Sequence, residues 1–142
     1  MQIIRISTDN EISVHDFPEG DYSEQNRVLR ELIGPRCEMY EHVMPKRLYT
    51  ELGASNKVGK EEGSCVSMLV DGEGFYHDLE DNMVGSWLYE TDKHDHPIVG
   101  NILIIGEVLG DDGIDFCGMS QDQFDQLYPM LVKIAEKARE FV

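Results

Sequence analysis

From Ser120 onward, apolar side chains return every three or four residues: Phe124, Leu127, Leu131, Ile134, Ala138 and Phe141. Only an amphipathic α-helix puts all of them on one face. A helix this long must be covered along that face, and a small sheet is the partner the rest of the chain can supply. Ser120 with Gln123 makes a capping box at its start. Lys133, Lys137 and Arg139 fall late in it, where the helix dipole favours cations. Pro129 has no amide to donate, so it is expected to kink or divide the helix.

The preceding segments read as strands and one further helix. Residues 2–7 and 12–17 form a short hairpin turned by Thr8, Asp9 and Asn10, with Ile12 and Val14 alternating against Ser13 and His15. A helix follows, capped by Asp21 with Glu24, or by Ser23. It carries Val28, Leu29, Leu32 and Ile33 and ends at Gly34 and Pro35. Residues 37–43 read as a strand and residues 46–52 as a strand or short helix. The stretch GASNKVGKEEG over residues 53–63 reads as an exposed, mobile loop. Residues 65–70 and 75–79 read as a second hairpin around Asp71-Gly72-Glu73-Gly74. In residues 82–89, Met83, Val84, Trp87 and Leu88 suit a short helical face, which Gly85 weakens. Residues 90–96 read as a polar loop. Residues 98–108 are an apolar run expected at the centre of the sheet, with Gly100 and Gly106 marking bulges or close approaches. Residues 110–118 read as a turn-rich connection. The sum is one α+β domain over residues 1–142: a small, mostly antiparallel sheet, a helix in the N-terminal half, and a long C-terminal helix packed on one face.

A chain of 142 residues is long enough to bury one core without staples. Its 28 acidic and 12 basic residues leave a net charge of −16. Such a surface repels phosphate backbones, so direct nucleic-acid binding is not expected. The same charge either serves solubility or imitates nucleic acid towards a basic cleft. Cys37, Cys65 and Cys117 form no C-x-x-C pair, which fits free thiols in a reducing compartment. MQIIRISTDN lacks a basic segment followed by an apolar run, so no secretory leader is expected. The longest apolar stretch, residues 102–105, falls far short of the roughly 18 residues that span a bilayer. A cytoplasmic setting is expected.

Several groups carry potential chemistry. His94, Asp95 and His96, with Asp92 and His77, include metal-capable side chains, but Pro97 follows and a solvated loop explains them. Asp111, Asp112 and Asp115 around Gly113 offer oxygen ligands without the EF-hand spacing; a simple turn explains them. No metal or cofactor is expected. No G-x-S-x-G, H-E-x-x-H, P-loop or kinase motif is present, which speaks against an enzyme. Asn82, Trp87 and Tyr89 form an aromatic and amide patch. Rings stack on flat ligands and an amide pairs with a base edge, although Trp87 is expected first as a core anchor. Lys46 and Arg47 are a basic pair able to hold a phosphate, or simply two solvated charges.

From residue 64 onward the order of features is a strand, the D-G-E-G turn, a strand, Asn82, a small and aromatic patch, P-I-V-G-N-I-L-I-I-G-E, an acid-glycine loop, D-F-C-G-M-S and a helix. This resembles DUF3846, a family of small phage and mobile-element proteins with no assigned biochemical function. The opening QIIRI is also similar to that family. Asn82, the Ile98-Val99-Gly100 run and Asp115-Phe116 carry the match, which covers about half the chain. The long region 34–63 and the extended C-terminal helix depart from it.

The resemblance implies a phage or mobile-element setting. Two functions follow as expectations. The first is an anti-defence protein that sequesters a nucleotide-derived signal, with Asn82, Trp87 and Tyr89 against the base and Lys46 or Arg47 near phosphate. The second, drawn from the net charge of −16 and not from the resemblance, is an acidic DNA mimic that inhibits a DNA-binding or restriction protein. A homodimer or higher assembly is also expected, since Ile134, Ala138 and Phe141 should extend past the sheet. Val132 and Val142 add apolar surface beside them.

Overall fold

The computed structural model describes residues 1–94 and 96–141; Asp95 and Val142, both named above, lie outside the described residues. In chain order the elements are β1 (Gln2–Ile6), β2 (Ile12–Asp16), α1 (Tyr22–Ile33), β3 (Tyr40–Val43), α2 (Lys46–Thr50), β4 (Cys65–Asp71), α3 (Met83–Tyr89), β5 (Ile102–Gly110), β6 (Gly113–Cys117) and α4 (Gln121–Arg139). A single 3₁₀ turn, Thr91–Lys93, follows α3.

The strands form one antiparallel sheet in the order β2-β1-β5-β4-β3, with β6 also on β5. β5 is its axis. β4 pairs along one side over residues 103–107. On the other side β1 takes residues 102–104 and β6 takes 106–110. Side chains of β5 alternate between two cores. Ile102 and Ile104 join Ile4, Ile6, Val66, Met68 and the inward residues of α2, α3 and α4. Leu103 and Ile105 join Ile3, Leu69 and Leu29 and Ile33 of α1. α4 therefore packs on one face with α2 and α3, and α1 covers the other. Every residue of β4 is buried, as expected of a strand covered on both faces.

Both long helices are capped as their sequences require. The Asp21 carboxylate accepts from the Glu24 amide at 2.9 Å, and Ser120 Oγ accepts from the Gln123 amide at 3.3 Å. α1 is fastened to the sheet by Arg5 Nε donating to the Leu32 carbonyl at 2.7 Å and by Tyr40 OH donating to Asn26 Oδ1. α4 runs unbroken through Pro129. Pro129 is exposed, so the carbonyl it leaves unpaired can bond water instead. Ala135 and Ala138 are buried and Ile134 packs half-buried against the same core, which corrects the expectation that Ile134 and Ala138 lack a partner: α3 lies beneath that end of the helix. Phe141 remains 78% exposed.

Four other expectations change. Residues 75–79 do not pair with β4. Both edges of β4 are taken by β3 and β5. The Asp71 carboxylate also winds the chain back on itself, accepting from the Glu73 amide at 2.8 Å and contacting His77 Nδ1 at 3.0 Å. Residues 113–117 form the strand β6 rather than a loose connection, and only Tyr40–Val43 of the 37–43 segment is strand. Residues 53–63 are irregular but stitched to the domain: Val66 donates to the Ser55 carbonyl at 3.0 Å and Leu109 to that of Gly59 at 2.7 Å. Gly106 is a close approach. A Cβ there would lie 2.4 Å from the Gly118 carbonyl oxygen and 2.8 Å from Gly63 Cα.

Candidate functional site

The five residues nominated from the sequence do not converge. Asn82 is wholly buried. Its Nδ2 donates to the carbonyls of Ile6 at 3.0 Å and Gly100 at 2.9 Å, while Oδ1 accepts from the Gly85 amide at 2.8 Å. Both amide protons are thus used. Asn82 is the N-cap of α3 and the clamp joining it to β1 and the turn before β5, which leaves it no donor for a base edge.

Trp87 lies on the outer side of α3, 37% exposed, rather than anchoring the core. The Arg47 guanidinium sits over its ring, 5.3 Å from the centroid. Arg47 also donates to the Trp87 carbonyl at 2.8 Å and to Asp92 at 3.1 Å. Its charge is largely engaged, whereas Lys46 is exposed. Two residues on, Tyr89 points elsewhere, as helical geometry requires. It stacks on His94 with centroids 4.3 Å apart and lies 5.6 Å from His96, which meets Phe75 edge-on at 5.8 Å. The histidines of that segment therefore flank a tyrosine. Among the described residues no group of three or more His, Cys, Asp or Glu is arranged to hold a metal ion. Asp111 and Asp112 form the exposed tip of the β5–β6 hairpin, and Asp115 lies on β6.

Two depressions bear on function. The first is a groove of about 340 Å³ between α3 and α4, lined by Met83, Val84, Trp87, Ile134, Lys137, Ala138 and Phe141. It is apolar apart from Lys137. The second, about 710 Å³, opens on the α1 side of the sheet, between the start of α1, residues 17–20 and β6. Phe17, Tyr22 and Phe116 supply rings; Glu19, Glu62 and Asp115 supply carboxylates, all three exposed. Among the described residues, no Lys, Arg or His side chain lines it. Phe116 also belongs to an aromatic cover, 6.0 Å from Tyr40 and 6.1 Å from His42 between ring centroids.

Beside that cover lies a polar group that sequence reasoning missed. Glu107 is 7% exposed and its Oε1 is 2.9 Å from His42 Nε2. The His42 hydrogen bond holds the Glu107 carboxyl below its ordinary pKa, against the opposing push of burial. Cys65 Sγ is 3.9 Å from the other oxygen. The only sequence signal was an acid in an otherwise apolar run, ILIIGEVLG. Burial first, then Glu107, pushes the Cys65 thiol up to about 11. Burial does the same to Cys37 and Cys117, each to about 11. All three stay protonated thiols at neutral pH, without the thiolate that nucleophilic chemistry needs.

No family model matches this chain, and neither a curated protein nor a solved structure does. No helix among the described residues is long and apolar enough to cross a membrane.

Proposed function

We propose that this protein is a non-enzymatic binding module that engages a basic surface or segment of a partner protein, in the manner of a DNA mimic acting on a DNA-binding or restriction protein. The supporting observation is the large groove, with Glu19, Glu62 and Asp115 on its walls and no cationic side chain among the described residues that line it. A phosphate entering it meets three carboxylates. A guanidinium or ammonium meets partners for its hydrogen bonds, and rings whose faces attract cations. The net charge of −16 steers such a partner from a distance. The resemblance to DUF3846 supports a setting in a host cell carrying a phage or mobile element, with the cytoplasm as the proposed location.

Titration with a fluorescent arginine-rich peptide tests the proposal. Binding should weaken steeply between about 50 mM and about 500 mM salt as the Debye length shrinks. Glu19→Gln, Glu62→Gln and Asp115→Asn combined should weaken it at least about tenfold. The combination Asp9→Asn, Glu51→Gln and Asp122→Asn removes as much charge elsewhere and should leave it nearly unchanged. Equal losses in the two triple variants would reduce the effect to bulk charge and overturn the site. A peptide recovered with altered mass would make the protein an enzyme.

A second reading, sequestration of a nucleotide-like ligand, is favoured by one observation. Trp87 stands at the apolar α3–α4 groove with Lys137 in its lining, and α2 and α3 contain no acidic residue. Calorimetry with cyclic and ADP-ribose-type nucleotides tests it, with the fluorescence of Trp87, the only tryptophan, as a second readout. Neither heat nor quenching with any member would exclude it.

A further inference from the structure

We infer that a second copy of this chain docks, antiparallel and two-fold, on the outer face of the last turns of α4. Positions 133, 136, 137 and 140 of a helix share one face. Here they are Lys133, Glu136, Lys137 and Glu140, all exposed. Together with Ile134 they line a depression of about 390 Å³. Within one chain their order is poorly matched. Lys133 with Lys137, and Glu136 with Glu140, are like-charged i,i+4 pairs. The oppositely charged i,i+3 neighbours do not close: none of the four forms an ion pair among the described residues.

Read in the reverse direction, Lys-Glu-Lys-Glu becomes Glu-Lys-Glu-Lys. An antiparallel contact therefore sets Lys133 against Glu140 of the second copy, and Glu136 against Lys137 of the second copy, each twice. A two-fold interface has to be its own complement, and this face is. A parallel contact in register would oppose like charges. The apolar surface follows the same line. Met130 is 39% exposed and Phe141 78%, and both fall on the Ile134 face. The antiparallel register lays Phe141 beside Met130 of the second copy. Across Ile134 and Lys137 the surface continues onto Met83 and Trp87 of α3, so the second copy forms one bank of that groove.

Charge elsewhere in a chain of net charge −16 opposes association, and this segment is an exception: residues 130–140 hold three basic side chains and two acids. The acidic groove opens on the α1 side of the sheet and shares no lining residue with this face.

Charge exchange tests the contact. The intact chain, examined by light scattering at about 5 and about 100 μM, should approach twice its 16.2 kDa at the higher concentration. Lys133→Glu with Lys137→Glu, and Glu136→Lys with Glu140→Lys, should each weaken self-association at least about tenfold while circular dichroism stays unchanged. An equimolar mixture of the two variants should restore the dimer, now as a heterodimer. A wild-type mass of 16.2 kDa at the higher concentration overturns the inference. So does a variant that remains dimeric alone, or a mixture that remains monomeric.

Discussion

Glu107 is a carboxylate set in an apolar sheet, and His42 makes that placement tolerable. The pair spans 65 residues of sequence and crosses β4 to close at 2.9 Å. Its pH dependence has a definite sign. A carboxylate with a depressed folded-state pKa adds stability that is present above its ordinary value of 4.5 and is lost as pH falls through the depressed value. Urea midpoints measured downward from neutral pH should show this acid limb, and Glu107→Gln should flatten it. At neutral pH that substitution should cost about 1–3 kcal/mol, less than for a fully buried pair because the His42 side chain is 41% exposed. A variant that keeps the wild-type acid limb would show that the pair does not control it. Sequence reading could not find this group, since a glutamate in a strand carries no mark of its partner. It did single out Trp87 and Arg47, which the fold brings into contact, because aromatic and cationic side chains in an acidic chain stand out by type alone.

At the scale of elements, α3 depends on one side chain. Its seven residues are too few to hold a helix by propensity. Asn82 caps it and ties it to the ends of two other segments. Asn82→Ala should cost about 2–4 kcal/mol in urea denaturation, the sum of a lost cap and buried carbonyls left unpaired. A change below about 0.5 kcal/mol, the size of an ordinary surface substitution, would return Asn82 to the list of ligand contacts. α4 offers the opposite case. Pro129 lies in its interior on the exposed side, where the missing bond faces water. Pro129→Ala restores that bond and should raise stability by about 1–3 kcal/mol, read as a higher Tm. A lower Tm would mean that the proline ring packs usefully where it stands.

For the whole molecule, the dominant quantity is the charge of −16. Self-repulsion on this scale opposes the folded state and is screened by salt. Raising salt from about 20 mM to about 500 mM should therefore add about 1 kcal/mol, or about 3–5 °C in Tm at this chain length. A Tm that falls with salt would mean that attractive pairs such as Arg47 with Asp92 outweigh the repulsion. The sequence by itself determined the two capped helices, the first hairpin, the apolar centre of the sheet and the α+β class. Each of these depends on residues a few positions apart, where periodicity and capping act. The tertiary structure alone decided that residues 75–79 stay out of the sheet and that residues 113–117 join it. It also decided that Asn82 faces inward to the Ile6 carbonyl, 76 residues away, and that Glu107 meets His42. Those outcomes depend on which strand edges are already occupied and which buried groups still need partners, and such competition is settled only once the whole chain has closed around its two cores.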